Sequence, residues 1–183
     1  MAAASWFKYA HLAYLAKPKN DRQLYRLVKR QQICRLVEVG VGSLTRTLSL
    51  IEVAQRFAID QKVHYTGLDW FDERSTNLAD LRLKHAHQRL GPTAAAVRLV
   101  PGPPAASIAA IANAHQNTDL LLISYLVEEQ DLETAWFYVP RMLHADSIVL
   151  RESRSPDGLS IFAPLPLSEI AERAGRPTKR RAA

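Results

Sequence analysis

The feature that most constrains the fold is a change of hydrophobic period that recurs along the chain. From residue 33 onward, short apolar runs alternate with amphipathic stretches. The runs are Ile33–Val39, Val63–Leu68, Val97–Val100, Asp119–Ser124 and Ser147–Arg151. The fourth reads L-L-L-I between polar ends, the pattern of a strand buried on both faces. Between the runs, Leu44–Phe57, Ser75–Leu90, Ala105–His115 and Gln130–Leu143 carry helical patterns. Gly91-Pro92 closes the second of these, and Pro140 is expected to distort the last turn of the fourth. Strands joined through helices lie parallel, because only a long crossover returns the chain to the same end of a sheet. The pattern predicts an α/β fold: a doubly wound, mainly parallel sheet of five or slightly more strands.

Two helical patterns precede the first strand. Trp6, Phe7, Ala10 and Tyr14 recur at helical spacing, which predicts a helix with these side chains in the core and Lys17-Pro18 as its stop. Asn20 is then placed to cap a second helix whose apolar face is Leu24, Leu27 and Val28, with Arg22, Arg26, Lys29 and Arg30 opposite. A short helix over Ser168–Ala174 follows Pro164 and Pro166 and ends at Gly175. The expected organisation is a helical extension over 1–32, one α/β domain over 33–174 and a basic tail over 175–183. A chain of 183 residues has little length left for a second domain.

Composition narrows the chemistry. One cysteine, Cys34 in the first strand, excludes an internal disulfide framework and a multi-cysteine zinc cage, and it fits a cytoplasmic protein. No run approaches the ~18 apolar residues of a membrane span. The histidines do not fall at metal spacing: His85 and His87 are two apart on a helix and point different ways. No Ser/His/Asp or Cys/His arrangement is legible. The net charge of +6 is divided sharply, at +7 over residues 1–35, −6 over 36–172 and +5 over 173–183. Basic ends suit nucleic-acid phosphates, through Arg173, Arg176, Lys179, Arg180 and Arg181, with Trp6, Phe7, Tyr9 and Tyr14 as aromatics that could stack on bases. The alternatives are a solvated terminus and core aromatics.

In sheets of this kind ligands sit beyond the carboxyl ends of the strands, where the strand order reverses. The first strand runs out through Glu38-Val39-Gly40-Val41-Gly42-Ser43-Leu44. Two glycines at a strand-to-helix turn allow a tight reversal and a close backbone approach to a ligand, although a tight turn needs glycine without any ligand. The second strand ends Leu68-Asp69-Trp70. Asp69 there can accept hydrogen bonds from both hydroxyls of a ribose, and Trp70 can lie against a purine. The alternative is that Asp69 caps the next segment and Trp70 fills core.

These motifs together resemble the class I S-adenosylmethionine-dependent methyltransferases, a Rossmann-like family. Its first motif is an acid, any residue, then Gly-x-Gly-x-Gly, and Glu38 to Leu44 follow it except at the last place. Asp69 matches its second landmark, an acid closing strand two. Ile123-Ser124-Tyr125-Leu126-Val127-Glu128-Glu129 is similar to the stretch after its fourth strand, and Arg141–Ser147 and Ile148–Glu152 to its fifth-strand region. The likeness covers residues 33–152. It implies the strand order 3-2-1-4-5 and S-adenosylmethionine as cofactor, held by Glu38, Gly40, Gly42, Ser43, Asp69, Trp70 and Ser124. The activity implied is methyl transfer to an acceptor the sequence does not reveal, with no metal. Tyr125, Glu128 and Glu129 are base candidates beside the fourth strand, against the plainer reading of loop or first-turn residues.

The departures from the family pattern bear on activity. Leu44 replaces the third glycine, and Pro101-Gly102-Pro103-Pro104 offers no acid after strand three. About thirty residues follow the fifth strand, which leaves little room for the antiparallel pair that closes the sheet in typical members. A catalytically degenerate methyltransferase-like domain acting as an interaction module therefore stays open beside the enzyme. A nicotinamide-type fingerprint fits less well, since it would need glycine at Thr45.

Overall fold

The computed structural model describes residues 4–58, 60–75 and 80–175. Six strands form one sheet in the order β3-β2-β1-β4-β5-β6. They are β1 (Arg35–Val39), β2 (His64–Asp69), β3 (Ala96–Pro101), β4 (Thr118–Ile123), β5 (Leu143–Arg154) and β6 (Ser160–Pro164). The first five pair parallel, in the order 3-2-1-4-5. β6 returns antiparallel along β5, with Arg154 opposite Ser160 and Leu150 opposite Pro164. β5 is longer than its apolar run because it bends where it meets β4. Between Leu143 and Ile148 it spends more residues than its partner does between Thr118 and Leu120. Ser147 stitches this irregularity: its hydroxyl donates to the Thr118 carbonyl at 2.7 Å and accepts from the His144 amide at 2.7 Å.

Strand periodicity sorts the core into two layers. On one face Leu36, Tyr65 and Leu120 pack against α2 (Asp21–Arg30), α3 (Thr45–Phe57) and α4 (Leu83–Leu90). On the other, Val37, Val39, Leu121 and Ile123 pack against α5 (Pro104–Ile111), three 3₁₀ turns and α6 (Leu167–Gly175). The N-terminal residues Tyr9, Ala13, Leu24, Tyr25 and Val28 belong to the first layer. None of the described helices is long and apolar enough to cross a membrane.

Four local readings are corrected. The N-terminal helix buries Tyr9 and Ala13, whereas Trp6 is 52% exposed, Phe7 84% and Tyr14 55%. The helix α1 (Trp6–Ala10) passes into a π turn over His11–Leu15, and the buried stripe of Tyr9, Ala13 and Ala16 keeps helical spacing but lies on a different face from the one the aromatics marked. Asn20 makes no side-chain cap; its amide donates to the Ser160 carbonyl and so ties the start of α2 to β6. Gln130–Leu143 is not an α-helix but 3₁₀ turns over Glu129–Leu132, Ala135–Phe137 and Val139–Met142. Pro140 lacks the amide an α-helix needs there, yet Leu132, Ala135, Trp136, Val139 and Met142 are still buried, so the apolar spacing marked the right face. The helix expected over Ser75–Leu90 is seen as α4, and residues 76–79 of that range lie outside the described residues.

Candidate active site

The strand order reverses between β1 and β4, and there the carboxyl ends of the strands open on a cavity of about 430 Å³. The loop from β1 to α3 forms one side, through Gly42, Ser43 and Leu44, and Ala16, Lys17 and Pro18 of the N-terminal segment line another. Gly40 adopts φ +80°, and a Cβ on it would stand 2.7 Å from Val127 Cγ2 and 3.0 Å from Ser124 Cβ. Only glycine lets this loop close on the end of β4. A Cβ on Gly42, by contrast, would meet nothing within 4 Å. Leu44 adopts φ +68° and is 1% exposed. A left-handed residue costs ~1–2 kcal/mol when it is not glycine, and burial of the Leu44 side chain in the first core layer offsets this. The position where the motif has its third glycine thus holds a left-handed backbone with leucine in place of glycine.

A buried ionic network stands at the cavity. Glu38 accepts hydrogen bonds from Thr47 Oγ1 at 2.7 Å and Tyr65 Oη at 2.9 Å, and its other oxygen lies 3.6 Å from the Arg46 guanidinium. Gly67, paired with Glu38 in the sheet, has no side chain to block the Tyr65 hydroxyl, which lies 2.8 Å from where its Cβ would be. Arg46 grips Glu152, at the end of β5, with two bonds of 2.7 and 3.0 Å, and Ser124 Oγ donates to the same carboxylate at 3.1 Å. Burial raises the Glu152 pKa most strongly, but the hydrogen bonds and charge of Arg46, joined by hydrogen bonds from Ser160 and Ser124, together outweigh it and hold the carboxyl below its usual range. Asp21, at the start of α2, is the third carboxylate. Burial, reinforced by Glu152 and Glu38, pushes it above the usual range against the pull of Arg46. The Tyr25 phenol beside it is pushed up to about 12 by burial and by the Asp21 charge. Asp21 Oδ1 and Glu38 Oε1 are both buried without a hydrogen-bond partner.

Asp69, at the end of β2, is occupied from within the chain. Arg74 Nε donates to Asp69 Oδ1 at 2.6 Å, Arg74 Nη2 to Oδ2 at 2.8 Å, and the Phe71 amide to Oδ1 at 2.8 Å. The same Nη2 donates to the Val41 carbonyl in the glycine loop. Arg74 therefore bridges the carboxyl ends of β1 and β2. Trp70 is half-buried, and the core position is taken by its neighbour Phe71, which reaches it with φ +48°.

No protein-family model and no curated protein matches the sequence. Solved structures do match. The O-methyltransferase from Bacillus cereus in complex with S-adenosylhomocysteine aligns at TM-score 0.56 and 17% identity, over 81% of this chain and 63% of that one. TomG, an O-methyltransferase from Streptomyces achromogenes involved in tomaymycin synthesis and crystallised with S-adenosylmethionine, aligns at 0.51 and 14%, over 83% and 67%. Cofactor-bound Rv0187 from MTB aligns at 0.51 and 16%, over 91% and 71%. The chain has the class I methyltransferase fold. It spans less than two thirds of the Bacillus enzyme's length.

Within this methyltransferase fold the candidate residues divide. Glu38, Gly42, Ser43 and Ser124 line one cavity, Gly40 packs beneath it, and Asp69 and Trp70 stand outside it beyond Arg74. Ser43 is exposed, and its carbonyl accepts from Arg89 at 2.7 Å. Of the base candidates, only Tyr125 lines the cavity, with the Arg154 guanidinium 4.0 Å from its ring centroid. Glu128 caps a 3₁₀ turn, and Glu129 pairs with Arg173 and accepts from Trp136 Nε1 at 3.3 Å. Sequence reading passed over Asp21, Arg46, Arg74 and Glu152. The available signal was charge at the ends of otherwise apolar elements, which implies a buried counter-charge. Among the described residues no cluster of three or more His, Cys, Asp or Glu has metal-binding geometry. Arg173, expected to reach phosphate, is committed to Glu129, to Glu169 at 2.7 Å and to the Trp136 ring at 4.9 Å. Arg176, Lys179, Arg180 and Arg181 lie outside the described residues.

Proposed function

We propose that the chain binds S-adenosylmethionine across the ends of β1, β2 and β4 and transfers its methyl group to an acceptor. The observation that carries this reading is the meeting, in one cavity, of the open face at Gly42 with carboxylate oxygens of Glu38 and Asp21 that accept no hydrogen bond. A buried acceptor without a partner costs ~1–3 kcal/mol or more, and an ammonium group in the cavity would satisfy both oxygens. The residues present thus fit the amino-acid end of the cofactor. Gly42 and Ser43 would lie along it, Ser124 would support it from β4, Asp69 would take the ribose hydroxyls and Trp70 would face the purine. When bound, the cofactor supplies an electrophilic methyl group. The chain's own contribution is to orient the acceptor, exclude water and take up a proton, for which Tyr125 is the base candidate on the cavity wall. The S-adenosylmethionine and S-adenosylhomocysteine complexes of proteins with the same fold support this choice of cofactor.

One observation favours a second reading, a methyltransferase-like interaction module without cofactor: Arg74 already satisfies both oxygens of Asp69. Calorimetry with S-adenosylhomocysteine on the wild-type chain and on Arg74→Ala separates the two. The enzyme reading expects one-to-one binding in both, at or below about 100 μM, some 5.5 kcal/mol or more. Absence of heat from both proteins at millimolar ligand overturns it in favour of the module.

A further inference from the structure

At the opposite end of the sheet, a second groove has a different character. α5 has eight residues, about 12 Å of helix, and it stops short of the amino ends of the strands it covers. The uncovered half of that face carries Arg35 on β1, His64 and Thr66 on β2 and Arg98 on β3. Arg35 pairs in register with His64, and Thr66 with Arg98, so all four project from the same side of the sheet. His115, in the turn after α5, closes the groove and exchanges a hydrogen bond of 2.9 Å with Thr66 Oγ1. The enclosed volume is about 360 Å³.

Two features distinguish this groove from an ordinary solvated surface. First, among the described residues no acidic side chain lines it. Asp119, nearby, directs its carboxylate to the backbone amides of Cys34 and Arg35, both at 2.7 Å, and to His144 at 3.3 Å. Second, the two arginines share one side of the sheet and only one of them is fixed. Arg35 is fixed by the Gln116 carbonyl at 3.1 Å, and the Arg98 guanidinium makes no hydrogen bond or ion pair among the described residues. Burial, then Arg98 and His64, keep the His115 pKa below its usual value, as expected where positive groups crowd without a counter-charge. Arg35 and Arg98 stand two strands apart, roughly 10 Å across the sheet, so their side chains can converge on one bound group.

We propose that this groove is an oxyanion site that takes the phosphate group of a small molecule. A phosphate offers the missing negative charge and enough oxygens for two guanidinium forks, the Thr66 hydroxyl and an imidazole at once. The concave, few-hundred-Å³ shape suits a compact ligand better than the extended backbone of a nucleic acid. The site is independent of the methyl-transfer reading, because it lies at the other end of the strands.

Calorimetry with inorganic pyrophosphate at low salt provides the test. One-to-one binding with Kd at or below about 1 mM is expected. Arg98→Gln should weaken it about tenfold, and Arg35→Gln with Arg98→Gln together should abolish it. Both side chains are exposed, so thermal melts should be unchanged, and S-adenosylhomocysteine binding should be equal in wild type and variants. Absence of pyrophosphate binding at ten times that concentration overturns the proposal. So does binding that both variants leave intact, which would assign the anion to the basic ends. A short RNA whose affinity falls in these variants, with no pyrophosphate binding, replaces the small molecule by a nucleic acid and overturns it equally.

Discussion

The carboxylates that end β1 and β2 occupy adjacent strands of one sheet, yet they are bound into the molecule in opposite ways. Glu38 draws its partners from afar in the chain, with Thr47 and Arg46 on α3, Tyr65 on β2 and, through Arg46, Glu152 on β5. Asp69 is held by Phe71 and Arg74, two and five residues downstream. Contacts that tie four elements together cannot be exchanged without disturbing the core. A contact within one short turn can open while the sheet stays intact. On this comparison Glu38 is primarily a structural group, and Asp69, in the proposed function, would be a ligand group under a removable latch.

The largest effect should come from Glu38→Ala. It strands the Thr47 and Tyr65 hydroxyls and takes from Arg46 one of its two carboxylates at a site that is 1% exposed, and breaking a buried ionic network in this way costs ~3–5 kcal/mol. Urea unfolding should show the loss as a lower midpoint with an unchanged slope. A loss below about 1 kcal/mol would break the comparison, because Glu38 would then be as replaceable as a surface acid.

Asp69→Ala should act on the ligand more than on the fold. Two ribose hydrogen bonds are worth ~1–3 kcal/mol, about five- to a hundred-fold in affinity for S-adenosylhomocysteine. Stability should fall less than in Glu38→Ala, since Arg74 lies on a short turn and can swing outward. Unchanged affinity in calorimetry would mean that the ribose lies elsewhere.

The comparison also marks what the sequence could disclose. That the first five strands run parallel followed from the alternation of periods, which reflects burial on two faces or one and so survives in a single sequence; their order came only from the family resemblance. The tight turn at Gly40 was legible because its position at a strand end restricts what that residue type can do. Arg74 was not, because its guanidinium reaches the Val41 carbonyl 33 positions back, a contact made only when β1 and β2 lie side by side. Glu152 and Asp21 were missed for the same reason: each is unremarkable in its own segment and becomes informative only beside Arg46. β6 escaped as well, being five residues with prolines at and just after its end, where no strand period can establish itself.

Arg74→Ala sharpens the latch from the other side. Removing the competitor for Asp69 should tighten S-adenosylhomocysteine binding by up to about tenfold, the equivalent of one charge-assisted hydrogen bond. The melting temperature should drop at the same time, since Asp69 is buried and loses its counter-charge. Weaker binding in Arg74→Ala would make the arginine part of the ligand site and not its stopper.

The smallest expected effect concerns Asp21, the carboxylate whose Oδ1 is buried without a hydrogen bond. Its pKa is raised in the folded chain, chiefly by burial and then by Glu152 and Glu38. The folded state therefore holds the Asp21 proton more tightly than the unfolded state does. By linkage its contribution to stability is fully present below the unfolded value, near ~4, and is lost as pH rises through the raised folded value. Glu152, with a lowered pKa, runs the other way: its contribution is present above the unfolded value and is lost as pH falls through the folded one. Asp21→Asn removes only the first dependence. The variant should match wild type in acid, where both side chains are neutral, and exceed it by about 1 kcal/mol at pH 7, where wild type carries the buried charge. Denaturation midpoints at pH 4 and pH 7 measure the difference. A gap that is constant across this range would mean that Asp21 does not titrate there. A gap at pH 7 that closes on adding S-adenosylhomocysteine would show the ligand supplying the partner that Asp21 lacks, and would set this acid beside Glu38 at the amino-acid end of the site.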